Sequence, residues 1–243
     1  RENEEKLQNI IQHSGSMFYT HTPHHVLTYV SPQARDILDC EPEEALGRWQ
    51  EFITDHPINQ IGIQSTERAI QTGQRQPPYE LELMTRKGRR IWVHVDESPL
   101  VRNGTTVAIV GSVTDITERK QAEEALRQAE EKYRNIFENA VEAVTQTTPE
   151  GRYITANPAT ARILGYDSVE ELMSSVNDLN TQFYVETGRR EEFKKLMEEQ
   201  GFVVGFESEV YRKDGSRVWV SENMHAVRDE QGNLLYYEGT SED

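Results

Sequence analysis

The sequence predicts an α+β protein of two similar domains, each an antiparallel sheet with short helices on one face, joined by a long helix. Three observations predict this. The chain repeats itself: K-L-Q-N-I-I-Q-H-S from Lys6 matches K-Y-R-N-I-F-E-N-A from Lys132, an offset of 132 − 6 = 126. The register holds through Thr22-Pro23 against Thr148-Pro149, Ser31-Pro32 against Asn157-Pro158, and Ile37-Leu38 against Ile163-Leu164. Arg90-Ile91-Trp92-Val93 then matches Arg217-Val218-Trp219-Val220 at 217 − 90 = 127, and Gly111 to Asp115 matches Gly239 to Asp243 at 239 − 111 = 128. A repeat of this length is a small domain rather than a solenoid unit. Within each repeat, strand patterns come first and last with helical patterns between, the order of an α+β unit with one covered face. Residues 114–140 hold no Pro or Gly and are mostly strong helix formers.

Taken in order, residues 2–12 form an amphipathic helix with Leu7, Ile10 and Ile11 on one face. Residues 17–22 and 25–30 are β-branched and aromatic strands about a turn at Pro23-His24. Ser31 is placed to cap a short helix that opens on Pro32 and runs through Leu38. A second short helix, 42–46, ends at Gly47, and 49–53 is an apolar turn. Residues 58–72 form a longer helix closed by Gly73, with Ile63, Ala69 and Ile70 inward. The strand 79–83 alternates, with Glu80 and Glu82 outward. Strands 90–95 and 106–113 follow, the second entered through the hairpin turn Asn103-Gly104.

The long helix comes next, with Asp115 at its cap and Glu118 in the capping-box position. Ala122, Leu126, Ala129, Tyr133, Ile136 and Ala140 recur along it in steps of four and three, a heptad seam flanked by charges. A stripe this narrow calls for a partner helix, most simply its own copy in a second chain. The repeat then restarts. Strands 143–147 and 153–156 flank Pro149-Glu150-Gly151, Asn157-Pro158 opens a helix, and Ser168 with Glu171 marks another capping box. Helix 186–200 ends at Gly201, and strands 206–211, 217–223 and 234–239 close the chain.

Composition bounds the function. Lys and Arg against Asp and Glu give 26 − 42 = −16, which repels phosphate backbones and anionic lipid, so neither nucleic acid nor a membrane surface is expected as a partner. No apolar run has the length of a membrane span, and there is no signal peptide. One cysteine, Cys40, excludes an internal disulfide framework and points to a reducing, cytoplasmic setting. The chain stops at Asp243, the counterpart of Asp115, and reads as a fragment of a longer protein.

Both repeats resemble PAS domains. The residues that carry the resemblance are A-N-P-A-T-A-R-I-L-G-Y around Asn157 with V-S-P-Q-A-R-D-I-L-D-C, and R-K-D-G-S-R-V-W-V with T-R-K-G-R-R-I-W-V. To these is added G-S-V-T-D-I-T-E-R-K, similar to the Asp-Ile-Thr ending that leads a PAS domain into its signalling helix. The resemblance implies a five-stranded antiparallel sheet cupping a small cavity, and an input role in bacterial sensor kinases or cyclic-nucleotide and cyclic-di-GMP enzymes. Residues 1–116 then form a first PAS domain, 117–136 a connecting signalling helix and 137–243 a second PAS domain. Asp115, Ile116 and Thr117, and Asp243 at the second junction, are the expected relay.

Candidate cavity walls are Tyr29, Trp49, Phe52, Ile70, Tyr79, Leu81, Val93 and Ile109 in the first repeat. In the second they are Tyr153, Phe183, Phe193, Leu196, Phe206, Val220 and Tyr237, with Ser208 in the place of Leu81 as a sign of a more polar pocket. No cofactor is expected from motifs, and the ligand is unknown. The long helix of each repeat lacks the histidine that haem-binding PAS domains use, leaving only His56 in a preceding loop, and Cys40 lies outside the reactive-cysteine motif of LOV flavin photosensors. A flavin held without a bond would have Trp49 and Trp92 as flanks, though core packing is the commoner role of a buried Trp. His21, His24 and His25 match no common zinc spacing and are expected as exposed turn residues, so no metal is expected. No phosphate loop, G-x-S-x-G or H-E-x-x-H is present. The expected function is a sensory module in a homodimer, open to a small-molecule ligand, with any output enzyme outside the sequence. The alternative is a ligand-free dimerising spacer.

Overall fold

Each repeat builds its sheet from strands at its two ends, because the β-rich segments flank the helical ones in sequence. The computed structural model describes Lys6, Asn9 and residues 11–243, so the expected Leu7-Ile10-Ile11 face lies, apart from Ile11, outside the described residues. The chain divides into two units, Arg1–Leu126 and Arg127–Asp243.

The first unit holds β1 (Ser16–His21), β2 (Val26–Val30), β3 (Gly47–Arg48), β4 (Tyr79–Met84), β5 (Arg90–Arg102) and β6 (Thr105–Asp115) in the order β3-β2-β1-β6-β5-β4. Its pairings are antiparallel. The two-residue β3 adds a sixth strand to the five expected, as Gly47 and Arg48 pair with Leu27 and Val26 on leaving a helix. β5 runs seven residues past the expected end at Val95, and pairing continues through Pro99 opposite Ile109. Asn103 and Gly104 then turn the chain with φ of 52° and 76°, both left-handed as a two-residue type I′ hairpin requires.

Against one face lie α1 (Ala34–Ile37), α2 (Pro42–Ala45), a 3-10 turn (Trp49–Phe52) and α3 (Asn59–Thr72). The buried residues of α3 are Asn59, Gly62, Thr66 and Ala69, with Ile63 and Ile70 only half-buried at the flanks. Of the three residues expected inward only Ala69 is buried, and small or polar residues take the places of Ile63 and Ile70. The reason is close approach: a methyl group at Gly62 would collide with the Tyr79 and Leu81 side chains, so the helix rests directly on β4. The outward placement of Glu82 is likewise corrected. It is buried and bonded to Arg90 at 3.0 Å across the β4–β5 pair.

Ser31 is fully buried and does not cap α1, whose N-cap is Gln33. Its hydroxyl accepts from the Phe18 amide at 2.8 Å and donates to the Gln33 amide oxygen at 2.7 Å, while Gln33 Nε2 donates to the Ile11 carbonyl. In the second unit Asn157 does both jobs. Its Oδ1 accepts from the Val144 and Thr160 amides, and its Nδ2 donates to the Phe137 and Glu142 carbonyls. Val144 and Phe137 are the 126-offset counterparts of Phe18 and Ile11, so the repeat holds at the level of single hydrogen bonds.

α4 (Thr117–Asn139) opens two residues after Asp115, which bonds the Thr117 amide at 2.8 Å instead of standing at the cap position. No residue of α4 is buried. The second unit contains β7 (Ala143–Thr147), β8 (Tyr153–Ala156), β9 (Phe202–Tyr211), β10 (Arg217–Arg228) and β11 (Leu234–Glu242), ordered β8-β7-β11-β10-β9. Its helices are α5 (Pro158–Leu164), α6 (Val169–Ser175), α7 (Leu179–Gln182) and α8 (Arg189–Gln200). α8 starts three residues later than expected, since Gly188 before it is left-handed at φ 90°. The Ser168 hydroxyl accepts from the Glu171 amide, and the Glu171 carboxylate reaches back to the Asp167 amide.

Candidate functional site: two cavities and a strand-to-helix junction

Between sheet and helices each unit keeps a small cavity. In the first, Trp49, Phe52, Tyr79 and Leu81 stand on the wall. Val93 and Ile109 are buried without reaching it, and Ile70 stays on the flank of α3. Tyr29 is 44% exposed, which removes it from the wall. The cause is a register shift between Thr20 and His21 in the β1–β2 pair, which leaves Leu27 and Val30 as the inward residues of β2. Trp92 is off the cavity as well. His56 meets its ring edge-on at 5.0 Å and Lys120 lies over it at 5.1 Å.

The polar content of this cavity comes from residues outside the expected set. Glu97, buried on β5, accepts from the Tyr19 hydroxyl at 2.7 Å and from the Thr66 hydroxyl at 2.7 Å. Tyr79 OH is 2.8 Å from Thr66 Oγ1, and His21 Nε2 is 3.9 Å from the Glu97 carboxylate. Burial pushes the Glu97 carboxyl up, but the facing His21, Thr66 and Tyr19 outweigh it and hold it below the usual range. His21 is buried, not exposed as expected, and its ring stacks on Tyr19 and His25. Among the described residues no group of three His, Cys, Asp or Glu stands where it could hold a metal ion. The signal for Glu97 was parity: the inward series Ile91, Val93, Val95 continues to Glu97 once the strand is allowed to run on.

In the second unit Tyr153, Phe183, Phe193 and Val220 line the cavity, whereas Leu196, Phe206 and Tyr237 pack in the core around it. Ser208 is buried away from the wall and accepts from Arg189 Nε at 3.1 Å, so its hydroxyl is already engaged. The polar wall is again a different set, chiefly Arg190, Glu222, Tyr184 and Thr147. Glu222 accepts from the Tyr184 hydroxyl at 2.9 Å. Its burial pushes the carboxyl up to about 7, against the Tyr184 bond and the nearby Arg190 and Arg189 charges. By parity it follows Val218 and Val220 on β10, so the pattern for it lay within the predicted strand.

The junction between β6 and α4 is tied sideways to β5. The Ile116 amide donates to the Trp92 carbonyl at 2.8 Å, and the Trp92 amide donates to the Thr117 hydroxyl at 2.9 Å. One residue further out, Glu80 of β4 meets Lys120 at 2.6 Å and Arg119 at 2.8 Å, and Lys120 holds the Glu80 carboxyl below its ordinary range. Glu80 therefore faces the helix, not open solvent. Asp243, the counterpart of Asp115, lies just beyond β11 and is exposed. Ala122 and Ala129 are exposed along α4, as are Leu126, Tyr133 and Ile136 at 61%, 64% and 63%.

Residues 14–118 and 141–243 each match the family model described as PAS domain. The chain belongs to the PAS domain family. Over 105 residues, 43% of this chain, it is 27% identical to the sensor histidine kinase TmoS of Ectopseudomonas mendocina, of which it spans only 11%. A sensory box histidine kinase/response regulator from Burkholderia thailandensis E264 is similar at 23% identity and TM-score 0.44, covering 54% of this chain and 98% of that one. An RNA-binding light-oxygen-voltage receptor is similar at 14% identity and TM-score 0.38, covering 94% of this chain and 95% of that one. Two PAS domains, with similarity to a stretch of a sensor histidine kinase, support a signalling input role. Among the described residues no helix is long and apolar enough to cross a membrane.

Proposed function

We propose that the chain receives a signal in its two sheets and relays it through helical linkers, paired with those of a second copy, to an output domain outside residues 1–243. The division is a first sensory domain at 1–116, a connecting helix at 117–136 and a second sensory domain at 137–243. The setting is cytoplasmic, and the output is an enzyme such as a histidine kinase or a cyclase. One observation supports this above the others: α4 is fastened at its first turn to β5 and β4, through Trp92 and Glu80. Those strands carry Val95, Tyr79 and Leu81 on the cavity side. Whatever shifts them shifts the helix start, and a ligand would do so by its differential affinity for two packings.

Val95→Phe, which fills the first cavity in place of a ligand, tests this coupling. Hydrogen exchange of the amides of Thr117 to Gln121 is expected to change in the variant. Unchanged exchange there, in a folded variant, would sink the relay reading. The alternative of a relay without a ligand has support in the first unit alone, where Tyr19, Thr66 and His21 already surround the Glu97 carboxylate.

A further inference from the structure

We infer that the cavity of the second unit binds a small carboxylate, with the side-on edge of Arg190 as its anchor. The inference deepens the sensory reading and rests on it for the consequence of binding, not for binding itself. Arg190 is the second residue of α8, is 4% exposed and lies on the cavity wall. Its Nε and Nη2 have no hydrogen-bond partner. A buried guanidinium with two unmet donors is costly, and buried polar groups are as a rule paired. These two nitrogens are the side-on edge of the guanidinium, where two parallel N–H bonds match the two oxygens of one carboxylate. The flat side of the group is already covered, with the Phe193 and Tyr237 ring centroids at 4.8 and 5.7 Å. What is left is the edge that a carboxylate would take.

The surroundings agree in charge and size. Across the same cavity stands Glu222, held by Tyr184. Burial keeps its proton on up to about neutral pH, so it presents a donor there and no second negative charge. The cavity has about 30 Å³ of room for water centres, which is space for about two waters. That suits formate or acetate and is far too small for a flavin or a haem.

The first unit lacks the anchor. With Gly73 and Gly201 aligned, 201 − 73 = 128, the counterpart of Arg190 is Gly62, since 190 − 62 = 128. A carboxylate sensor of this design is confined to the second unit, and the first serves as an internal control.

The test is titration of the whole chain with sodium formate and sodium acetate, followed by calorimetry and by the arginine Nε–H signals in nitrogen-15 NMR, with sodium chloride at equal ionic strength as the reference. One arginine signal, identified by its loss in Arg190→Lys, is expected to shift saturably with a Kd of about 1 mM or tighter. Arg190→Lys keeps the charge but loses the fork and should weaken binding about tenfold, and Arg190→Gln should abolish it. No saturable heat or shift with either acid overturns the inference, as does an equal response to chloride or undiminished binding in Arg190→Lys. The wild-type titration decides even if Arg190→Gln fails to fold. Acid binding together with a failed Val95→Phe experiment would keep this site and discard the relay; the reverse result would do the opposite.

Discussion

Two carboxylates at neighbouring inward positions of equivalent strands have opposite ionisation preferences. Glu97 on β5 aligns with Met224, and Val95 aligns with Glu222, at the offset of 127 set by Arg90 and Arg217. Glu97 receives two hydroxyl donors and has His21 beside it, which favours the charged form. Glu222 is as buried as Glu97 but has one hydroxyl donor, so desolvation prevails and favours the neutral form. The folded-state pKa of Glu222 is thus raised to about 7 from an ordinary 4.5. Below the ordinary value both folded and unfolded chains hold the proton, and the group adds no pH dependence. Between the two values only the folded chain holds it, so the contribution to stability falls as pH rises and levels off above about 7. The span corresponds to roughly 3 kcal/mol. Glu222→Gln removes the titration. Relative to the parent chain, its unfolding free energy by urea should rise between pH 5 and pH 8 by an amount of this order. A constant difference across that range would show that Glu222 is not held neutral.

At the scale of elements, the strand-to-helix junction is fixed by a few hydrogen bonds and little apolar burial. Thr117 is the hinge of it, since its hydroxyl accepts from the Trp92 amide and donates to Asp115. Thr117→Val keeps the shape and removes both bonds. A loss of about 1 kcal/mol is expected, with faster exchange confined to Ile116 and the first turn of α4. Unaltered exchange in that turn would mean that Glu80, Arg119 and Lys120 hold the helix start alone. The same region shows what the sequence could tell. The strands at both ends of each repeat, the long helix, the Asn103-Gly104 hairpin and the Gly73 and Gly201 stops followed from periodicity and turn chemistry, because those signals are local. The cavity walls followed only in part, through Trp49, Phe52, Tyr79 and Leu81 in the first unit and Tyr153, Phe183, Phe193 and Val220 in the second. Tyr29 was lost to a register shift, Ser208 to Arg189, and α3 turned a Gly-Thr-Ala face inward because its closeness to β4 overrides apolarity. Glu97 and Glu222 were legible by strand parity, but Arg190 was not. An arginine at a helix start ordinarily signals solvent, and only the tertiary placement of α8 buries it.

For the whole molecule, the balance of charge and apolar surface bears on the proposed pairing through α4. Leu126, Tyr133 and Ile136 lie on one stripe of a helix of which nothing is buried, and they are each more than half exposed. Tyr133 stacks on Phe137 at 5.8 Å, so the apolar strip widens toward the end of the helix. Against association stands the net charge of −16 on each copy. Pairing along a charged helix therefore sets seam burial, which salt leaves in place, against a repulsion that salt screens over about 8 Å at physiological ionic strength. The dimer should tighten as sodium chloride is raised from low to physiological levels, the reverse of what an interface held by ion pairs would do. Leu126→Glu puts a charge at the centre of the seam. Light scattering should then report monomers, while circular dichroism keeps its helical signal because α4 draws on no packing there. A variant that stays dimeric, or a parent dimer that loosens with salt, would take the interface away from α4 and with it the pairing step of the proposed relay.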